Sequence, residues 1–346
     1  MTQIAARLID AGVLDPVDLH ATYMGLAEAQ APSVSPILLV ARSSRAHLSI
    51  GASQAVSADI DMARCRESGL DVVQRPLGGG SVWVDPAQTV VAVILPRDLA
   101  PGRPTALFDA CLYPMLEVFG RFGLTAMRVG EQDIWVGGRK ILGSGAATIG
   151  SSMVFATSIL RQFDAAGFAA AIRAPSDGFR EWLQEALAEG MTDWQAAGIV
   201  PDDADLVATL SEVFGAGFGW GIEPGEISGR EREAIRAAAC EIEDERVTEG
   251  PRHVRHGTKI NQRTYLLEEG AGPGAMRLLI DSGRIVRAWA AEAGLSQALQ
   301  AVVKQPVDRF RLEECLAKAG LDPALVSHVI ERVLQMTADI PLQDAG

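Results

Sequence analysis

Apolar and polar positions change texture several times along the chain. Residues 1–30 space their apolar positions as one or two helices would. Asp15 is the expected N-cap, with Pro16 in the first helical position and Asp18 in the first turn. From Ile37 the pattern turns to short runs rich in Val, Ile and Leu. PILLVA, AHLSIG, LDVVQRP, SVWVD and TVVAVILP are separated by Ser, Gly, Asp and Pro, which predicts a string of strands. A helix capped by Ser57 and closed by Gly69 interrupts them, with Cys65 as a packing residue. A longer amphipathic helix over 105–122 carries Pro114, where a kink is expected. Strands resume in QDIWVGG, RKILGSG and MVFATSIL, with glycine turns expected at Gly137–Gly138 and Gly143–Gly145.

Beyond Asp164 the periodicity is helical as far as about Arg246, and Ser228 with Glu231 three residues later reads as a capping box. A break near Gly250–Pro251 precedes strand-like segments that turn at Asp281-Ser282-Gly283. Two helices close the chain, around Leu295–Val303 and Leu312–Met336. No internal repeat is visible. The 346 residues therefore predict two α+β domains, 1–248 and 249–346.

Composition narrows the function. The net charge of −13 argues against a nucleic-acid partner. Residues 163–250 hold 19 acids and 6 bases, a net of −13. Residues 251–346 hold 11 acids and 12 bases, which leaves −1 for residues 1–162. The acidity is thus confined to the central helices. No apolar run approaches the roughly 20 residues that cross a bilayer. The amino terminus lacks signal-peptide character, so a cytoplasmic protein without a membrane partner is expected. Cys65, Cys111, Cys240 and Cys315 have no metal-ligand spacing, and neither zinc nor a disulfide is predicted.

Two stretches carry candidate chemistry. In VVQRPLGGGSVWVD three consecutive glycines stand between two strands, with Arg75 just before them. Such a loop is either an anion-binding backbone with a cationic fork beside it or a plain hairpin turn. It matches neither the Rossmann nor the Walker pattern. In QDIWVGGRKILGSG, Lys140 follows a Gly-Gly turn. It is either a surface lysine or a partly desolvated cation suited to charge on a carbonyl or phosphate oxygen.

Taken in order, SIGASQ (Ser49–Gln54), VVQRPLGGGSVWVD and QDIWVGGRKILGSG resemble the lipoate–protein ligase family of the biotin/lipoyl ligase and octanoyltransferase superfamily. The helices and IDSGRIVRA hairpin that follow resemble its C-terminal accessory domain. The resemblance implies a mixed β-sheet catalytic domain flanked by helices, plus a small α+β domain. It implies that ATP, with its Mg2+, and lipoate or octanoate form an acyl-adenylate. A lysine of a lipoyl-carrier protein, either glycine-cleavage H-like or an E2 lipoyl domain, then attacks it. Lys140 and Asp133 would be catalytic. Arg75, Gly78, Gly79, Gly80, Ser81, Val82, Trp83, Asp85 and Lys140 would bind ATP or adenylate. Gly51, Gln54, Arg75, Lys140, Gly143 and Ser144 would bind lipoate. No resident metal and a monomeric state are expected.

The sequence departs from the family at Val84, where His is common, at Gln132 in place of Asn, and at Phe155-Ala156 in place of His-Gly. These changes point to a divergent branch. Three alternatives stand beside the ligase. A cysteine-dependent octanoyltransferase needs a thiol near the lysine, and residues 112–239 contain none. A biotin ligase would carry a Gly-Arg-Gly loop. A non-catalytic homologue would bind lipoate without turnover. The cluster Arg252, His253, Arg255, His256 and Lys259 is a candidate hinge or dock for an acidic acceptor.

Overall fold

The computed structural model describes residues 3–31, 35–244 and 249–341. The expected boundary at residue 248 lies outside the described residues. The strands are β1 (Ile4–Leu14), β2 (Ile37–Ser43), β3 (His47–Ile50), β4 (Asp71–Gln74), β5 (Val82–Val84), β6 (Gln88–Pro96), β7 (Ala126–Val129) and β8 (Asp133–Val136). They continue as β9 (Arg139–Ile149), β10 (Ser152–Leu160), β11 (Trp220–Pro224), β12 (Gly257–Lys259), β13 (Thr264–Glu269), β14 (Met276–Asp281) and β15 (Arg284–Ala290). The helices of the first half are α1 (Pro16–Ala29), α2 (Val56–Asp59), α3 (Met62–Ser68), α4 (Pro104–Arg121), α5 (Ala165–Ala171) and α6 (Asp177–Gly190). The rest are α7 (Asp203–Phe218), α8 (Gly229–Asp244), α9 (Ala293–Ala301), α10 (Arg309–Lys318) and α11 (Pro323–Thr337).

Two compact units emerge, both α+β. One comprises Met1–Gln54, Met62–Ala171 and Met191–Thr248. The other comprises Ala55–Asp61, Ile172–Gly190 and Glu249–Gly346. The first is built on an eight-stranded sheet of order β11-β1-β2-β6-β10-β9-β8-β7. Pairing is parallel across β11-β1-β2 and antiparallel beyond. Helices α4 and α7 cover one face over Leu112, Phe119, Phe155, Trp194 and Phe214, while α1 and α8 cover the other. Burial on both faces explains why β2, β6 and β10 are near-continuous apolar runs. A second sheet, β4-β3-β5, pairs β3 parallel to β4 and antiparallel to β5. The smaller unit is the antiparallel sheet β12-β13-β14-β15, with α9, α10 and α11 on its apolar face.

Several expectations hold. Ser228 and Glu231 bond reciprocally as a capping box, and α4 runs through Pro114. Ser282 and Gly283 both take positive φ at the β14–β15 turn.

Others are corrected. Residues 4–14 form a strand, because parallel pairing to β2 and to the distant β11 overrides a helix-like spacing. Strand β11 interrupts the stretch whose periodicity predicts helix from Asp164 to about Arg246. Asp15 occupies the N-cap position of α1 but makes no cap bond. Its Oδ1 instead accepts from Ser44 Oγ at 2.6 Å and Arg45 Nη1 at 3.0 Å. The helix expected over 57–69 is two short helices, the first capped by Ala55, so Ser57 lies inside it. The last expected helix is divided at Gly320 into α10 and α11. Gly143–Gly145 is no turn: all three residues are extended within β9, and the turn to β10 is at Gly150.

Candidate active site

The glycine segment Gly78–Gly80 leaves β4 and returns as β5. It is tied down from inside by Arg75, whose buried guanidinium donates in two directions. Nη1 reaches the Ser49 carbonyl at 3.0 Å and Ser49 Oγ at 3.3 Å. Nη2 reaches the carbonyls of Gly78 at 2.9 Å and Gly80 at 2.8 Å. Burial pulls the guanidinium below its usual pKa. The fork that sequence suggested for a ligand anion is therefore committed to the loop's own carbonyls, and it sets the loop's shape.

A close backbone approach completes this half. A Cβ on Gly51 would stand 2.0 Å from the Gly79 carbonyl oxygen, and Gly79 itself has φ +98°. Gln54 Oε1 accepts from Gly51 N at 3.0 Å, and its Nε2 reaches Ser81 Oγ at 3.3 Å. Gly51, Gln54, Gly79 and Ser81 thus lie together. Gln74, not singled out from sequence, donates to the carbonyls of Gly51 and Ala52. Gly79, Gly80 and Val82 are exposed, so the backbone of the loop faces outward. Trp83 and Asp85 are bonded to each other. The indole N–H donates to Asp85 Oδ2 at 3.0 Å, and Asp85 Oδ1 accepts from Ala87 N at 2.9 Å. Both carboxylate oxygens are spent on the β5–β6 turn. Burial raises the Asp85 pKa against those hydrogen bonds.

The second half lies on β8 and β9. Lys140 Nζ stands 2.9 Å from Asp133 Oδ1, with the side chains 20% and 4% exposed. A register shift between Ile134 and Trp135 pairs Trp135 with Lys140 and Asp133 with Gly143. The Lys140 backbone is held from its other side by Thr192 N, which donates to its carbonyl at 2.8 Å. The lysine side chain runs along its own strand to lie over Gly143, where a Cβ would be 2.9 Å from Nζ. Asp133 Oδ2 is buried and has no hydrogen-bond partner among the described residues. Ser144 faces inward, its Oγ donating to the Gln132 carbonyl at 2.8 Å. Thr157 Oγ1 donates to the Gly143 carbonyl at 2.8 Å.

Strand β9 joins the halves. A Cβ on Gly145 would meet the Gly78 carbonyl at 3.1 Å, so the glycine loop rests on the strand two residues beyond Gly143. At about 3.3 Å per residue, that seat lies roughly 7 Å along the strand from the lysine head. An exposed loop backbone and a partly desolvated cation paired with a buried carboxylate thus share one strand. This constellation can bind an anion and stabilise charge developing beside it.

The candidate dock in the smaller unit is partly committed. Arg252 Nε donates to the Ala58 carbonyl at 3.0 Å and Nη2 to the Arg173 carbonyl, with Asp59 beside it. Among the described residues no helix is long and apolar enough to cross a membrane. Among those residues no group of three or more His, Cys, Asp or Glu is placed to hold a metal ion.

Comparison with known proteins supports this architecture. The chain is 26% identical over 212 residues to octanoyltransferase LipM of Kyrpidia tusciae, covering 54% of this chain and 77% of that protein. In structure it is similar to the bi-partite lipoate protein ligase of Thermoplasma acidophilum, with a TM-score of 0.63 at 17% identity. That match covers 69% of this chain and 93% of the other. It is also similar to lipoate-protein ligase A bound with ATP, with a TM-score of 0.59 at 17% identity over 68% and 95% of the two chains. The family model for the lipoyl protein ligase A/B catalytic domain matches residues 19–214, which hold both halves of the site. The chain belongs to the lipoyl protein ligase A/B catalytic-domain family.

Proposed function

We propose that the protein is a lipoate–protein ligase that uses ATP to activate lipoate or octanoate and passes the acyl group to a lysine of a lipoyl-carrier protein. The Lys140–Asp133 pair carries this reading, because its strand also seats the glycine loop. In the first step a carboxylate oxygen of the acid attacks the α-phosphorus of ATP and pyrophosphate leaves. Negative charge grows on the phosphorus oxygens, and the Lys140 ammonium offsets it from a fixed position. In the second step the acceptor amine attacks the acyl carbon and AMP leaves with the oxygen it gained.

Asp133 has an oxygen left over after its bond to Lys140, and that oxygen is assigned to the incoming amine. Arg75 acts indirectly, by gripping the carbonyls of Gly78 and Gly80 so that the loop keeps one shape for phosphate. The magnesium that accompanies ATP needs few protein oxygens, since phosphates and water supply most of its shell.

Similarity to an octanoyltransferase supports a second reading, transfer through a cysteine thioester without ATP. The thiols of this chain fit that chemistry poorly. Cys65 and Cys111 are buried, and burial raises the Cys111 thiol pKa, the opposite of what a nucleophile needs. Cys240 and Cys315 lie on α8 and α10, neither of which contributes to the site.

Pyrophosphate release separates the readings. It should require ATP, lipoate and Lys140, and Lys140→Ala should lower it about 10²–10³-fold. An acyl adduct on a cysteine after incubation with an octanoyl carrier, without ATP, would favour the transferase.

A further inference from the structure

Beneath the glycine loop, between α1 and the β4-β3-β5 sheet, lies a buried polar chain that the chemistry above does not use. Tyr23 OH is 3.0 Å from His20 Nδ1, and His20 Nε2 is 3.1 Å from His47 Nε2. His47 Nδ1 is 3.2 Å from Ser43 Oγ, and Ser43 Oγ is 2.7 Å from the Arg45 carbonyl. Tyr23, His20, His47 and Ser43 are all buried.

The last link fixes every proton in the chain. A carbonyl can only accept, so Ser43 donates to Arg45 and its oxygen accepts from His47 Nδ1–H. His47 Nε2 then has only a lone pair and accepts from His20 Nε2–H. His20 Nδ1 in turn accepts from Tyr23 O–H. Each donor meets one acceptor, and both rings are neutral. A proton added to His47 would set its Nε2–H against the His20 Nε2–H, and one added to His20 would force the Tyr23 hydroxyl to turn from donor to acceptor.

The chain abuts the machinery of the loop at two places. His47 and Ser49 are two apart on β3, so their side chains share one face. Ser49 accepts from Arg75 through both its carbonyl and its hydroxyl. Tyr23 and His20, on α1, feel the Arg75 charge directly. Arg75 is therefore near these neutral, locked polar groups and shares Ser49 with the strand that carries His47. We infer that Tyr23, His20, His47 and Ser43 form a positioning strut that presets the glycine loop for nucleotide by holding Ser49 and Arg75 in place. These four are positioning residues, and none of them reaches the reacting atoms.

Burial keeps the rings neutral. It lowers the His20 pKa well below 6.5, helped by His47 and by Arg75, and it brings His47 to about 4. Around His47, a hydrogen bond to the Arg45 backbone and the Asp71 charge oppose that shift, while the Arg45 charge adds to it. The Tyr23 hydroxyl moves upward, so it stays a donor throughout the physiological range.

The role in nucleotide binding rests on the ligase reading, whereas the strut itself does not, and the test separates the two. In the full chain with 15N-labelled histidine, His20 should be the Nε2–H tautomer and His47 the Nδ1–H tautomer. Both should stay neutral at pH 5.5. Titration of either ring near 6.5, or the reverse tautomers, overturns the strut. Tyr23→Phe removes the first donor while keeping the ring. It should shift the amide signals of Gly78, Gly79 and Gly80, whereas Phe214→Leu, on the opposite face of the large sheet, should not. Unchanged glycine signals in folded Tyr23→Phe overturn the coupling, whether or not the protein uses ATP. In pyrophosphate release, Tyr23→Phe should raise KM for ATP about fivefold with kcat within twofold. A proportional fall in kcat with KM unchanged overturns the positioning role. No release from the native protein would instead count against the ligase reading alone.

Discussion

The two halves of the site use glycine for opposite purposes. On the loop side, Gly51 is bare because another backbone needs the space, and Gly79 supplies a backbone angle that other residues resist. On the strand side, Gly143 and Gly145 are extended and unstrained, yet each lies under something: the Lys140 head over one, the Gly78 carbonyl over the other. The loop half is held by hydrogen bonds from one buried cation to uncharged oxygens, the strand half by an ion pair on a rigid ladder. A glycine cluster in a sequence therefore signals close approach before it signals a turn.

That difference can be broken one side at a time. Gly51→Ala should have the largest effect, since backbone meets backbone at 2.0 Å and neither can swing away. Overpacking of this kind costs about 3 kcal/mol. A lowered urea midpoint together with lost pyrophosphate release is the expected result. Gly143→Ala meets only the flexible end of Lys140, at 2.9 Å from Nζ and 3.0 Å from Cε. Its stability should change by less than about 1 kcal/mol, while release falls roughly 10²-fold because the cation is displaced by about an ångström. Equal losses of stability in the two variants would erase the distinction between the halves.

Acid should act on the loop half. His20 and His47 are neutral when folded and free to take a proton when unfolded, so the unfolded state binds more protons below pH 6.5. Stability therefore rises with pH in this window and falls as pH drops from about 6.5 toward about 4. The His47 shift corresponds to a loss on the order of 3 kcal/mol across it. Urea titrations of the native protein and a His20→Gln, His47→Asn variant should converge as pH falls. Parallel curves would place the acid sensitivity elsewhere.

Gly80→Ala should be the mildest change. No atom lies within 4 Å of the added methyl, and the backbone angle is ordinary. Melting should be unchanged, and any rise in KM for ATP then reports ligand approach to the loop.

Much of the site was legible because its parts are local in sequence. Arg75 and the glycines it grips lie within six residues, and Asp133 and Lys140 belong to one hairpin. The capping box at Ser228 and the Ser282-Gly283 turn were legible for the same reason. What could not be read depends on distant partners. Residues 4–14 look helical until β11, more than two hundred residues away, pairs with them. Gly143–Gly145 looks like a turn until β10 and the glycine loop lie against it. His20 and His47 carry no shared motif and meet only because α1 packs under β3. The role of Arg75 was half legible: its charge was evident, but its commitment to carbonyls required the fold.

The most direct measurement follows oxygen. With lipoate labelled by 18O at both carboxylate positions, together with ATP and a lipoyl-carrier domain, acyl-adenylate chemistry leaves one 18O in each AMP released. The Lys140–Asp133 assignment predicts singly labelled AMP, formed one for one with acylated carrier and about 10²–10³-fold more slowly in Lys140→Ala. Unlabelled AMP, or a carrier acylated from an octanoyl donor with no ATP consumed, would contradict it.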